Sequence, residues 1–172
     1  MEERNCDSDC PTPEFKIPIE TRLIKYLRMW RADRNAISAF GRPAEQEICS
    51  LLECYICECI PYGPPNLRGW WSDGVVCLEI DEIAQDAFKL VGVTWIDCHR
   101  LAPFEIDLEL QVADDCRFAK TTFRIGTLDD QGHPRLFHPD IDWRQLVGNR
   151  PQRNRDWAMA IELTPPLSNP SD

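Results

Sequence analysis

Apolar side chains recur through residues 20 to 40 at the helical period, with Leu23, Leu27, Trp30 and Ile37 on one face. Gly41-Arg42-Pro43 then supplies a stop and a restart, glycine suiting the end of one helix and proline the first turn of the next. A second helix is expected from about Pro43 to Cys59, its stripe built from Ile48, Leu51, Leu52, Tyr55 and Ile56. Pro61-Tyr62-Gly63-Pro64-Pro65 breaks regular structure. Beyond Gly74 the period falls to two. Val76, Leu78 and Ile80 alternate with Cys77, Glu79 and Asp81, and Phe104, Ile106, Leu108 and Leu110 alternate with Glu105, Asp107, Glu109 and Gln111. Thr121, Phe123 and Ile125 repeat the pattern, as do Trp157, Met159, Ile161 and Leu163. A less regular strand is expected over Gly92–Cys98, and Asp86-Ala87-Phe88 reads as a turn or a short helical piece.

One-sided alternation is the mark of an antiparallel sheet with one face packed and one face wet. Helices first and strands afterwards indicate α+β rather than alternating βαβ units. The expected architecture is two N-terminal helices packed on one face of a four- or five-stranded antiparallel sheet. Residues 1–18, polar and punctuated by Pro11, Pro13 and Pro18, read as a flexible arm. Residues 19–164 form a single domain, with helices in 20–60 and the sheet in 75–164. That sheet carries a long insertion over residues 129–155, and residues 165–172 are a flexible Pro/Ser tail.

Length and composition agree with one domain: 172 residues, 43% hydrophobic and 28% charged, enough to bury a core without staples. Charge changes the picture more. Residues 14–42 hold seven Lys/Arg against three Asp/Glu, while the chain as a whole carries a net charge of −10. Such an acidic surface repels nucleic acid and anionic membranes; it is what plain solubility requires, and it is also compatible with a basic protein partner. No run approaches the ~18 apolar residues of a membrane span. The acidic N-terminus lacks the apolar core of a secretory signal, so the expected location is cytoplasmic. Nine cysteines, an odd number in no regular framework, are then expected as reduced thiols.

Candidate chemistry is sparse. Cys49, Cys54, Cys57 and Cys59 crowd one helix, but only Cys54 and Cys57 have a zinc-like spacing, and no glycine turn holds them; neither metal nor cofactor is expected. His99, His133 and His138 read as loop surface, the last two lying in the proline-containing insertion. The basic series Arg22, Lys25, Arg28, Arg31 and Arg34 steps by three residues and so winds round its helix instead of forming one stripe. It is expected to be solvated or paired with the acidic sheet. On strand 104–111 the carboxylates Glu105, Asp107 and Glu109 fall about 7 Å apart on one face. Burying them unpaired would be costly, so they are expected to be exposed together. Glu79 and Asp81, with Asp114 and Asp115 beyond, extend this acidity. Of the adjacent Trp70 and Trp71, one ring is expected to plug the core and the other to cover a loop, while an exposed ring could anchor a partner.

No P-loop, dinucleotide fingerprint, nucleophile elbow, HExxH or paired CxxC pattern occurs. The leading expectation is a non-enzymatic, acidic protein-binding module, in its most concrete form an inhibitor or immunity-type protein that neutralises a basic partner such as a nuclease toxin. Glu105, Asp107, Glu109, Glu79, Asp81, Trp70 and Trp71 are its candidate binding residues. The rival expectation is a small hydrolase or metal-dependent enzyme using the loop histidines and acidic side chains.

Overall fold

The computed structural model describes residues 14–63, 67–96, 100–113 and 116–126. Strand β1, Glu14–Pro18, comes before helices α1, Thr21–Ala32, and α2, Ala44–Cys59. A 3-10 turn over Ile60–Tyr62 follows, and then strands β2, Ser72–Ala84, β3, Ala87–Ile96, β4, Arg100–Ala113, and β5, Cys116–Ile125. The described strands form one sheet in the order β1-β5-β4-β3-β2, every neighbouring pair antiparallel. This is the expected α+β class, with two helices on one face of the sheet.

The arm needs correcting. Residues 14–18, assigned above to a flexible segment, pair with β5 from Glu14 opposite Thr122 to Pro18 opposite Phe118. Phe15 and Ile17 alternate into the core, and the Phe15 ring stacks on Tyr62 with centroids 4.3 Å apart. Pro18 is tolerated because it ends an edge strand.

The first helix stops at Ala32, well short of Phe40. Asp33 leaves helical geometry, and its carboxylate accepts a hydrogen bond from the Asn35 backbone N–H, the local competition that makes Asp and Asn weak in helix interiors. Proline at the entrance to α2, followed by Glu45 and Glu47 in the first turn, suits a helix N-terminus. Leu23, Leu27 and Trp30 of α1 meet Ile48, Leu52 and Ile56 of α2 above Leu78, Leu90, Phe104, Ile106 and Phe123 of the sheet. Two buried hydrogen bonds add to this packing, the first between helix and sheet and the second within the sheet. Tyr55 on α2 and Thr121 on β5 bond at 2.5 Å, and Ser72 bonds Thr94 across β2 and β3 at 2.7 Å.

The sheet differs from a one-sided design at its centre. Phe88, Leu90 and Ile96 of β3 turn toward the helices, yet Val91 and Val93 on the opposite face are also buried, as are Leu101, Pro103 and Glu105 of β4. The expected wet face is therefore dry in the middle. β3 also runs longer than Gly92–Cys98, and a two-residue turn at Gln85–Asp86 joins it to β2, with Asp86 in the left-handed region at φ 56°. The strand expected over Trp157–Leu163 and the insertion over 129–155 lie outside the described residues, as do Asp114, Asp115, His99, His133 and His138.

Candidate partner-binding surface

The register of the sheet decides which acidic side chains are available. On the face away from the helices one cross-strand row reads Asp81, Lys89, Asp107, Thr122, Glu14, and the next reads Glu79, Val91, Glu105, Arg124. Cations interleave with the carboxylates, which changes the fate of the three on β4. Glu105, expected in the open with its neighbours, is only 4% exposed. It forms a hydrogen-bonded ion pair with Arg124, and Lys89 Nζ lies 3.9 Å from its other oxygen. A buried carboxylate becomes tolerable when it is paired, and strand alternation alone carries no record of which cations lie opposite.

Asp107 is half-buried. Thr122 Oγ1 donates to its Oδ2 at 3.4 Å, and Lys89 Nζ lies 3.9 Å from its Oδ1, too far for a hydrogen bond. Burial pushes the Asp107 carboxyl above its ordinary range, Glu105 adds to the rise, and Lys89, Thr122 and Arg124 pull against it. Glu109 is exposed opposite Lys120, which bridges instead to Glu14 at 3.3 Å. The three β4 carboxylates therefore do not act as one exposed set. One is internal, one is shared and one is open.

Glu79 and Asp81 are different. Both are exposed on β2, the last described strand of the sheet, and among the described residues neither forms an ion pair. Removal from water pushes the Glu79 carboxyl up, repulsion from Asp81 raises it further, and Arg34 offsets part of the rise. Their neighbour Glu82 is held by Arg31 at 2.9 Å. Of the two tryptophans, Trp70 packs against the core, whereas Trp71, beside the start of β2, is 50% exposed.

No family model, curated protein or solved structure matches this chain. The geometry must therefore carry the functional reading by itself. Among the described residues no three His, Cys, Asp or Glu side chains converge as metal ligands would. Cys49 and Cys59 are buried and Cys54 is exposed. Cys57 Sγ accepts from the Ser72 N–H at 3.3 Å and donates to the Ser72 carbonyl, fastening α2 to the first residue of β2. Burial pushes the Cys57 and Cys59 thiols up, away from the thiolate character that reactivity requires. The basic series is drawn onto the sheet only in part: Arg28 reaches Asp86 at 3.5 Å and Arg31 reaches Glu82 and Asp86, whereas Arg22 pairs with Glu20 and Arg34, past the end of α1, lies over the Trp30 ring. Sequence reasoning missed the role of Lys89 and Arg124, whose only signal was a cation at a strand position facing away from the core.

Proposed function

We propose that the protein is an acidic protein-binding module that engages a basic partner through Glu79 and Asp81 on β2, with Glu109 and Trp71 as further contacts. The observation that carries this reading is the state of the β2 pair. The fold has supplied cations to Glu105, Asp107, Glu82 and Asp86, yet it leaves Glu79 and Asp81 side by side, exposed and mutually repelling. A cationic side chain from a partner would relieve that repulsion, and the net charge of −10 would speed the encounter. Trp71 supplies an aromatic surface of the kind enriched at binding hot spots. In its most specific form the module is an inhibitor or immunity-type protein covering the basic site of a nuclease toxin, and Glu105 then serves to hold the sheet together instead of touching the partner. No specific observation favours the enzyme reading.

The sign of the pH dependence tests the proposal. A cation placed against Glu79 favours its ionised form, so binding releases protons and strengthens as pH rises through the raised Glu79 carboxyl range. Calorimetry on a partner isolated from the host should therefore show proton release with the wild type and less with Glu79→Gln. Replacing Glu79 and Asp81 together by Gln and Asn should slow association about tenfold at low salt and leave the melting temperature unchanged. A partner bound with an unaltered on-rate and no proton release removes these residues from the interface.

A further inference from the structure

A second surface, of opposite character, is built into the connection between α1 and α2. Phe40 is 81% exposed and Ile37 is 63% exposed, both from the same short connection. Single exposed apolar residues are ordinary on any protein. These two differ because the backbone that presents them is braced from several directions. Ile37 and Pro43 form an isolated antiparallel bridge, and the Ala44 N–H donates to the Ala36 carbonyl at 2.8 Å. Inside that frame the Ser38 N–H donates to the Arg42 carbonyl at 2.7 Å, and the Gly41 N–H donates back to the Ser38 carbonyl at 2.9 Å. Phe40 therefore occupies the third position of a closed four-residue turn.

Ser38 is the brace. Its buried hydroxyl accepts from the Phe40 and Arg42 N–H groups, each at 3.3 Å, and donates to Glu47 Oε1 on α2 at the same distance. Gly41 completes the turn at φ 78°, a conformation that side chains disfavour, although nothing lies within 4 Å of the place a Cβ would take. The glycine serves the backbone and not the packing. A slack loop could fold Phe40 back against the protein; this one holds the ring in water.

We infer that this loop is a docking knob that places Phe40, flanked by Ile37, in an apolar pocket rimmed by carboxylates on another protein. A rigid aromatic presented in advance loses little conformational freedom on binding, which is where affinity is usually forfeited. The sign of the rim follows from the local charge. Arg34 and Arg42 are both exposed beside the knob, within residues 14–42, which hold seven Lys/Arg against three Asp/Glu. Close by in the chain, Asp33 accepts from the Asn35 N–H and Glu47 from the Ser38 hydroxyl. An anionic membrane is the poorer occupant, because the remainder of this acidic chain would be repelled from it. The inference does not rest on the proposed function, although Arg34 also acts on Glu79 of β2.

The test uses the full chain carrying a photo-crosslinking benzoylphenylalanine at position 40 in host cells, with the same group at exposed Arg68 as control. A protein crosslinked at position 40 and not at 68 is then purified and titrated with unlabelled variants. Phe40→Ser should weaken binding about tenfold or more without lowering the melting temperature. Ser38→Ala should also weaken it although the phenyl ring remains, because the brace is lost. Arg42→Glu should weaken it most at low salt. The inference is overturned if position 40 crosslinks no more than position 68, or if Phe40→Ser binds as tightly as wild type. It is equally overturned if Phe40→Ser melts early, or if the wild type floats with phosphatidylcholine/phosphatidylserine vesicles in a Phe40-dependent way.

Discussion

Tyr55 shows how much a single buried polar contact decides. Thr121 Oγ1 donates its one proton to the Ala119 carbonyl at 3.1 Å, so in the 2.5 Å contact the Tyr55 hydroxyl is the donor. Burial also pushes the Tyr55 phenol up, which keeps that proton in place. The two possible deletions are then unequal. Tyr55→Phe removes the donor and leaves Thr121 still bonded to Ala119, and should cost about 1 kcal/mol. Thr121→Val strands a buried hydroxyl donor, and should cost about 1–3 kcal/mol. Urea denaturation of both variants should show Thr121→Val as the less stable. The reverse order would mean that the hydrogen bond runs the other way.

At the scale of elements, β1 is where packing overrides a local reading. Prolines around a short stretch suggested an unstructured arm, but Phe15 and Ile17 alternate correctly for a strand, and β5 offers an edge to pair with. Phe15 lies buried against Tyr62, so Phe15→Ala should destabilise the fold by about 3 kcal/mol. A mobile arm would give a thermal melt indistinguishable from wild type. The helices were more legible. α2 falls within one residue of its expected start because Pro43 marks a boundary that needs no tertiary information. α1 ends early because Asp33 and Asn35 turn the chain with local hydrogen bonds, a signal present in the sequence but outweighed there by the position of Ile37 on the helical face.

For the molecule as a whole, the decisive feature is a sheet buried on both faces at its centre. Val91 and Val93 point away from the helices yet are almost fully buried. The run Leu90-Val91-Gly92-Val93 breaks strict alternation, the pattern of a strand covered on both sides. Val93→Thr keeps the shape and introduces a hydroxyl. It should cost about 1–3 kcal/mol, whereas on a wet face the same change would be nearly silent. Chemical denaturation of this one variant distinguishes the two. The acidic surface follows from the same arrangement, since the buried centre draws Glu105, Lys89 and Arg124 into a network and leaves Glu79 and Asp81 of β2, with Glu109 of β4, in the open.

The one-dimensional pattern determined the α+β class, both helices, the inward set Phe104, Ile106, Leu108 and Leu110, and the overall sign of the charge, because periodicity and composition are local properties of the chain. It also singled out Glu79 and Asp81 as acidic strand positions. Tertiary structure decided the rest. Whether a carboxylate at an outward strand position is free or neutralised depends on which cation lies across the ladder, and register is set by the pairing of strands far apart in sequence. The exposure of Phe40 was hidden for the same reason. Leu23, Leu27, Trp30 and Phe40 are all apolar, and only the bracing of Ser38 against Arg42 and Glu47 determines that the last of them stands in solvent.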